Sequence, residues 1–376
     1  MPANKTPTWA TNPLPSKNLY INSVGISGDG QLVIGGNYFH DYSPVANHVL
    51  SAAPFFTVGI FLWNAQGALQ WQDTFQSTEG VYWVALSRDG AWAAGGGLMS
   101  NGNGFIYAYE AATGTKSLVH SVKVRVNRVA LSGDGTYLVA GADSIYVFTR
   151  TGSTWSAPQI IPCDLGDYVV SVDISDDGQW IVAGTYKGSM VSLRNNSGVL
   201  AAPVSWQQPK GTIHWVAMAA NGSGFAAGAN AASLIYASTA NFAVSREPAW
   251  TTTLAGCTRC GSVAISGDGS LISAVGNTGQ AGQVFLFSNQ NNAAKQLWSR
   301  PTLHNPNSTS LDSAGQFVTA ADGQPDGTPG AFYLFDNSGE LSWSYHTSNM
   351  SWPMQISSNA TGIAAGSDDS NVYYFS

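Results

Sequence analysis

Val172-Asp-Ile-Ser-Asp-Asp-Gly-Gln-Trp-Ile-Val-Ala-Gly184 alternates apolar with polar or small residues, breaks at Asp-Gly, and resumes an apolar run that closes on Ala-Gly. A period of two is the strand signature. Asp-Gly supplies the positive φ that a tight turn between antiparallel strands needs, so the stretch reads as a β-hairpin. The same phrase returns at Val24-Gly-Ile-Ser-Gly-Asp-Gly30, Val84-Ala-Leu-Ser-Arg-Asp-Gly90, Val129-Ala-Leu-Ser-Gly-Asp-Gly135 and Val263-Ala-Ile-Ser-Gly-Asp-Gly269, with weaker copies from Val216, Thr309 and Met354. Hairpins starting near 24, 84, 129, 172, 216, 263, 309 and 354 make one long step followed by near-equal ones. That is a repeat array with one insertion rather than a set of unrelated domains.

Each repeat continues alike. A third apolar strand follows the hairpin, as in Gly59-Ile-Phe-Leu-Trp63 or Gln283-Val-Phe-Leu-Phe287. A polar Gly-containing turn then leads to a short fourth strand that carries Trp71, Trp155, Trp206, Trp250, Trp298 or Trp343, with Leu118 in the second repeat. The last repeat stops at Ser376 after its third strand, and Pro7-Thr-Trp9-Ala-Thr11 reads as the missing fourth. The pattern predicts an all-β, eight-bladed β-propeller of four-stranded antiparallel blades. Residues 1–376 form a single domain, and 7–11 close the last blade so that no sheet edge stays free. Slim second strands such as Ala93-Ala-Gly95 suit the crowded axis, and the Trp-bearing strands suit the wider rim. Helical periodicity is absent.

The Val-Ala-Ile-Ser-x-Asp-Gly hairpins resemble WD40-like and surface-layer-type propeller repeats. The tails, such as Phe335-Asp-Asn-Ser-Gly-Glu-Leu-Ser-Trp343, resemble the tryptophan-docking repeat of quinoprotein (PQQ)-like propellers. This resemblance spans essentially the whole chain. It is specific for fold and weak for activity, because propellers host enzymes, lectins and scaffolds alike. It would imply, as one alternative, a PQQ-dependent dehydrogenase. Such an enzyme needs a carboxylate-held divalent cation and often an adjacent Cys-Cys pair. No Cys-Cys occurs, and no acidic residue falls on the aligned positions before the first strands, so no cofactor is expected.

Composition narrows the classes further. Net charge is −7 and the fifteen Lys and Arg form no basic run, which argues against nucleic acid as partner. No apolar window is long enough to span a bilayer as a helix. Charged residues make up 10%, against roughly 25% in ordinary soluble proteins, their place taken by Asn, Ser, Thr and Gly. That balance reads as an extracytoplasmic (periplasmic or secreted) bacterial protein, although the first residues form no signal peptide. Cys257-Thr-Arg-Cys260 is a lone CxxC that cannot complete a zinc site; it is read as a local disulfide or two thiols.

The residues just before the first strands should ring the mouth of the central channel. Tyr82, Trp83, Asn127, Arg128, His214, Trp215 and Trp352 there combine aromatic faces with amide, imidazole and guanidinium donors. The long first-repeat loop adds Tyr38, His40 and Tyr42. This set suits a polar small molecule or glycan, or a protein partner; the alternative reading is that the indoles plug the channel. No Gly-x-Ser-x-Gly elbow, paired glycosidase carboxylates or metal signature is found. The reading is a monomeric, non-catalytic binding or interaction propeller, with a protein-assembly scaffold as a further alternative.

Overall fold

The computed structural model describes residues 3–15, 19–39, 55–164, 166–279, 281–291, 293–324 and 327–376. Seven sheets, built almost wholly of antiparallel meanders, carry nearly all the regular structure among them. The sequence repeat and the structural unit coincide. In the fifth repeat, Ile213–Met218, Gly224–Ala229, Ser233–Ser238 and Trp250–Thr253 pair in order. Val216 stands opposite Ala227, and Ala227 opposite Ile235. The first two repeats share one eight-stranded sheet, bridged where Tyr38 faces Gly80.

The Ser-x-Asp-Gly turns divide their labour. Ser266 Oγ donates to Asp268 Oδ1 at 2.7 Å, and the same oxygen accepts from Ser270 N at 2.9 Å. Only the glycine enters the left-handed region, with Gly269 at φ 79°. Asp29, Asp89, Asp134 and Asp177 brace their turns identically. Neighbouring turns are also tied to one another. Gly28 N–H donates to Arg88 O, Asp89 to Gly133, Gly133 to Asp176 and Asp176 to Ala220, at 2.8–3.0 Å. Asn221 then donates to Gly267, Gly267 to Ser313, Ser313 to Ser358 and Asn359 back to Gly28, at 2.8–3.3 Å.

Packing between units explains the small inner residues. A Cβ at Gly184 would lie 2.3 Å from Ile213 Cγ2 of the next unit, so the Ala-Gly ending is where one sheet receives its neighbour's first strand. Toward the rim the fourth-strand tryptophans reach the following unit's turn. Trp71 Nε1 donates to Ala111 O at 2.7 Å and Trp298 Nε1 to Asn337 O at 3.0 Å. Each indole lies against a turn glycine, Gly114 or Gly339, that leaves room for the ring. Trp9–Thr11 pairs antiparallel with Val372–Phe375, and Trp9 stacks on Tyr374 with ring centroids 5.6 Å apart.

Two features depart from the sequence expectation. A short helix, Thr239–Ser245, interrupts the link between third and fourth strands of the fifth repeat; its Phe242 is buried edge-on against Phe225. One buried ring on a seven-residue segment leaves no helical period to read. Ala3–Asn4 also adds a parallel strand beside Trp343–Ser344, two residues being too few to signal pairing.

Candidate functional site

The first strands of all the repeats surround two cavities of about 230 and 210 Å³ that share Arg128, Asp173 and Gln355 in their walls. Three side chains stand at the end nearer the inter-sheet loops. Bulges at Val81/Trp83 and Ile213/Trp215 re-aim the chain there, and Trp83 and Trp215 meet at 5.1 Å with planes inclined 77°. The Arg128 guanidinium lies over both indoles, 4.1 Å from Trp83 and 3.8 Å from Trp215. Burial lowers its pKa from 12.5 to about 10, against the opposing pull of the nearby Asp173 charge. Asp173 itself is pushed above the usual carboxylate value by burial, while its oxygens accept from Met218 N at 2.8 Å and Ile174 N at 2.9 Å.

A second cluster lies on the face that carries the loops between second and third strands. Tyr82 Oη donates to Glu79 Oε2 at 2.8 Å and accepts from Arg125 at 2.9 Å. The Arg125 guanidinium covers the Tyr82 ring at 4.2 Å and donates to Asn127 Oδ1 at 2.9 Å. Burial, followed by the Glu79 charge and hydrogen bond, drives the Tyr82 phenol well up, with Arg125 opposing. Next along the same face, Tyr168 and Tyr186 stack at 4.9 Å, yet remain 37% and 52% exposed.

The expected site residues therefore separate. Trp83, Arg128 and Trp215 come together, but the indole faces that a sugar would stack on are covered by the guanidinium. Asn127 donates to Val169 O of the next repeat at 2.7 Å, and Asn22 does the same to Tyr82 O at 2.8 Å, so these amides tie sheets together. His214 Nε2 meets Asn230 Oδ1 at 2.6 Å, and burial lowers its pKa. Tyr38 is buried beside Tyr20 and Tyr82. Trp352 stands apart from the other indoles, and Ser308 Oγ donates to its carbonyl at 2.6 Å. His40 and Tyr42 lie outside the described residues.

The cysteine expectation is corrected toward its second branch, because Cys163, Cys257 and Cys260 are all free. Cys260 is buried with its sulfur facing Gly228, whereas the Cys257 sulfur packs toward Gly276. Strand geometry points the two thiols at different glycines. Among the described residues no three His, Cys, Asp or Glu side chains group as metal ligands.

Alignment of the residues before each first strand missed Asp173, Gln355 and Arg88, because it stopped too early along the strand. The signal was in the repeat itself. The residue after the first Val is Gly25, Ala85, Ala130, Asp173, Ala217 or Ala264, and Asp173 is the charged exception. The position before Asp-Gly likewise holds Gly28, Arg88, Gly133, Asp176 or Gly267. Arg88 and Asp176 pair across the Gly133 turn, Nε to Oδ2 2.6 Å, and Arg88 also donates to Ser358 Oγ at 2.5 Å.

No family model matches the chain, and no curated protein matches it. Solved structures do. Chaetomium thermophilum Sqt1 bound to the N-terminus of the ribosomal protein L10 superposes with a TM-score of 0.72 at 14% identity, covering 95% of this chain and 96% of that one. Sqt1 from the same organism without that partner gives 0.71 at 14% identity, covering 95% of each chain. The expectation of an extracytoplasmic protein is thereby corrected: Sqt1 chains are among the structures it resembles, one of them bound to a ribosomal protein segment, which conflicts with a periplasmic or secreted setting. Asn, Ser, Thr and Gly are consumed by the turn bracing and inter-sheet ties described above, whatever the compartment. Taken with the antiparallel sheets, the similarity makes the fold a WD40-like β-propeller.

Proposed function

We propose that the chain is a non-catalytic interaction module that docks a polypeptide on its loop face. The observation that carries this is the Tyr168–Tyr186 stack, left 37% and 52% exposed beside the Arg125–Tyr82–Glu79 cluster. Tyr and Arg are the residues on which protein interfaces concentrate their energy. An aromatic pair already stacked loses little side-chain entropy on binding. Sqt1, similar in fold, has been solved with the N-terminus of a ribosomal protein bound, which supports a polypeptide rather than a glycan. The scaffold carrying the surface is read as one eight-bladed, monomeric propeller over residues 1–376 with Trp9–Thr11 completing the last blade; the circuit of turn-to-turn hydrogen bonds supports that count.

The test is crosslinking capture from native extract with the wild-type chain and the Tyr168→Ala/Tyr186→Ala double variant. Partners recovered by the wild type should be lost by the double variant while its circular dichroism is unchanged. Undiminished capture would overturn the assignment of this face.

A further inference from the structure

We propose that the channel, entered from the face of the Asp-Gly turns, is a second binding site whose ligand presents a carboxylate to Arg128. A guanidinium has five N–H donors in one plane. In Arg128 that group lies over the adjoining rings of Trp83 and Trp215, at 4.1 and 3.8 Å. None of its N–H groups has a hydrogen-bond acceptor among the described residues. Arg128 lines the larger cavity, about 230 Å³, together with the turn residues Gly267, Ser313 and Ser358. The nearest counter-charge, Asp173, makes no ion pair with it; its oxygens are engaged by Met218 N and Ile174 N.

A cation packed against two indoles and left without acceptors is a costly arrangement unless a partner completes it. A carboxylate is the matching partner, because its two oxygens accept the parallel N–H bonds that a guanidinium edge offers. The rim reinforces the choice. Arg88 lies across the entrance, held by Asp176 and Ser358, and both of these bonds are partly exposed. An incoming carboxylate can therefore meet Arg88 before reaching Arg128. The source of the carboxylate is either an acidic side chain of a polypeptide or a free carboxylic acid, and the chemistry is the same. This site lies on the opposite face from the Tyr168–Tyr186 stack, so its failure leaves that reading untouched.

The experiment is isothermal titration of the intact chain with two matched pairs of probes. One pair is propionate and propionamide; the other is acetyl-Gly-Glu-Gly-amide and its Gln counterpart. At least one carboxylate should bind at millimolar concentration and weaken with added salt, while its neutral amide does not bind. Binding of the peptide alone assigns the site to a polypeptide side chain, and binding of propionate alone assigns it to a free acid. Arg128→Gln should weaken the bound probe by about tenfold or more. Asp173→Asn should strengthen it, since it removes the one negative charge near Arg128. The Asp173→Asn arm also stands should Arg128→Gln fail to fold. The proposal is overturned if neither carboxylate binds, if the amides bind equally well, or if Asp173→Asn fails to strengthen binding.

Discussion

Trp83 and Trp215 belong to the second and fifth repeats, yet they touch across the channel, edge to face, at 5.1 Å. Their contact and the Arg128 guanidinium over both rings turn the loop-side end of the channel into a packed layer.

Removing either ring should therefore cost stability as a core residue does. Trp215→Ala is expected to lower unfolding free energy by about 2–4 kcal/mol. A Trp83→Phe/Trp215→Phe double-mutant cycle should show coupling of about 0.5–1.5 kcal/mol. Urea unfolding measures both, and a cost near zero for Trp215→Ala would mean the ring is open to solvent.

The eighth turn carries Ala360 in the left-handed region, φ 58°, where its counterparts carry glycine. An L-residue there is strained by roughly 1–2 kcal/mol, and glycine's extra freedom in the unfolded chain returns about half of that. Ala360→Gly should thus stabilise by about 0.5–1 kcal/mol. Gly178→Ala should destabilise by more, because its Cβ would also lie 2.2 Å from Tyr137 Cδ2. Shifts of the urea midpoint in opposite directions check the pair.

Trp9 stacks on Tyr374, lies near Trp63 and donates to Ala65 O at 3.1 Å, joining the strand Trp9–Thr11 to the chain's last strand and to the first repeat. Trp9→Ala should destabilise by about 2 kcal/mol, less than for a fully buried tryptophan. Hydrogen exchange should accelerate first in Val372–Phe375, the strand it covers. Unchanged protection there would show that Trp9–Thr11 contributes nothing to that sheet.

The turn carboxylates set an acid limb. Partial burial would raise Asp268, but the Ser270 N–H and the Ser266 and Ser270 hydroxyls outweigh it and hold the pKa below 3.8. Asp134 is lowered in the same way by Thr136 and Ser132. The unfolded chain then takes up protons first, so this stabilisation is present above about 3.8 and is lost as pH falls through the lowered folded values. The urea midpoint should fall on acidification in that window, and less steeply in Asp134→Asn/Asp268→Asn.

Thiol chemistry distinguishes the cysteine states. Burial, then nearby Asp167, Asp143 and Asp164, pushes Cys163 up to about 11, and burial also raises Cys257 and Cys260. Native protein should react slowly with a thiol reagent at neutral pH. In denaturant without reductant all three thiols should titrate; a count of one would mean that Cys257 and Cys260 are joined.

The repeat was legible because its signals are local. Strand alternation, Asp-Gly turns and the Trp of each fourth strand depend on neighbours a few residues away, and those strands form where the pattern puts them. Arg128, Trp83 and Trp215 were legible as residues facing the axis, but not as one another's partners. Asn127 and His214 were legible as polar groups near the mouth, but not as ties to Val169 O and Asn230. Tyr168 and Tyr186 carry no repeat signal; they become a pair only when two loops of one repeat fold back on each other.

Sequence alone determined that this chain is a β-repeat with braced turns, slim inner strands and aromatic outer ones. Those choices are made within single hairpins, by φ, by side-chain period and by size. Only the tertiary structure decided that two tryptophans would meet under one arginine, that Asp173 would lie near it, and that the three thiols would stay apart. Those contacts join residues far apart along the chain, and their geometry depends on how each sheet twists against the next.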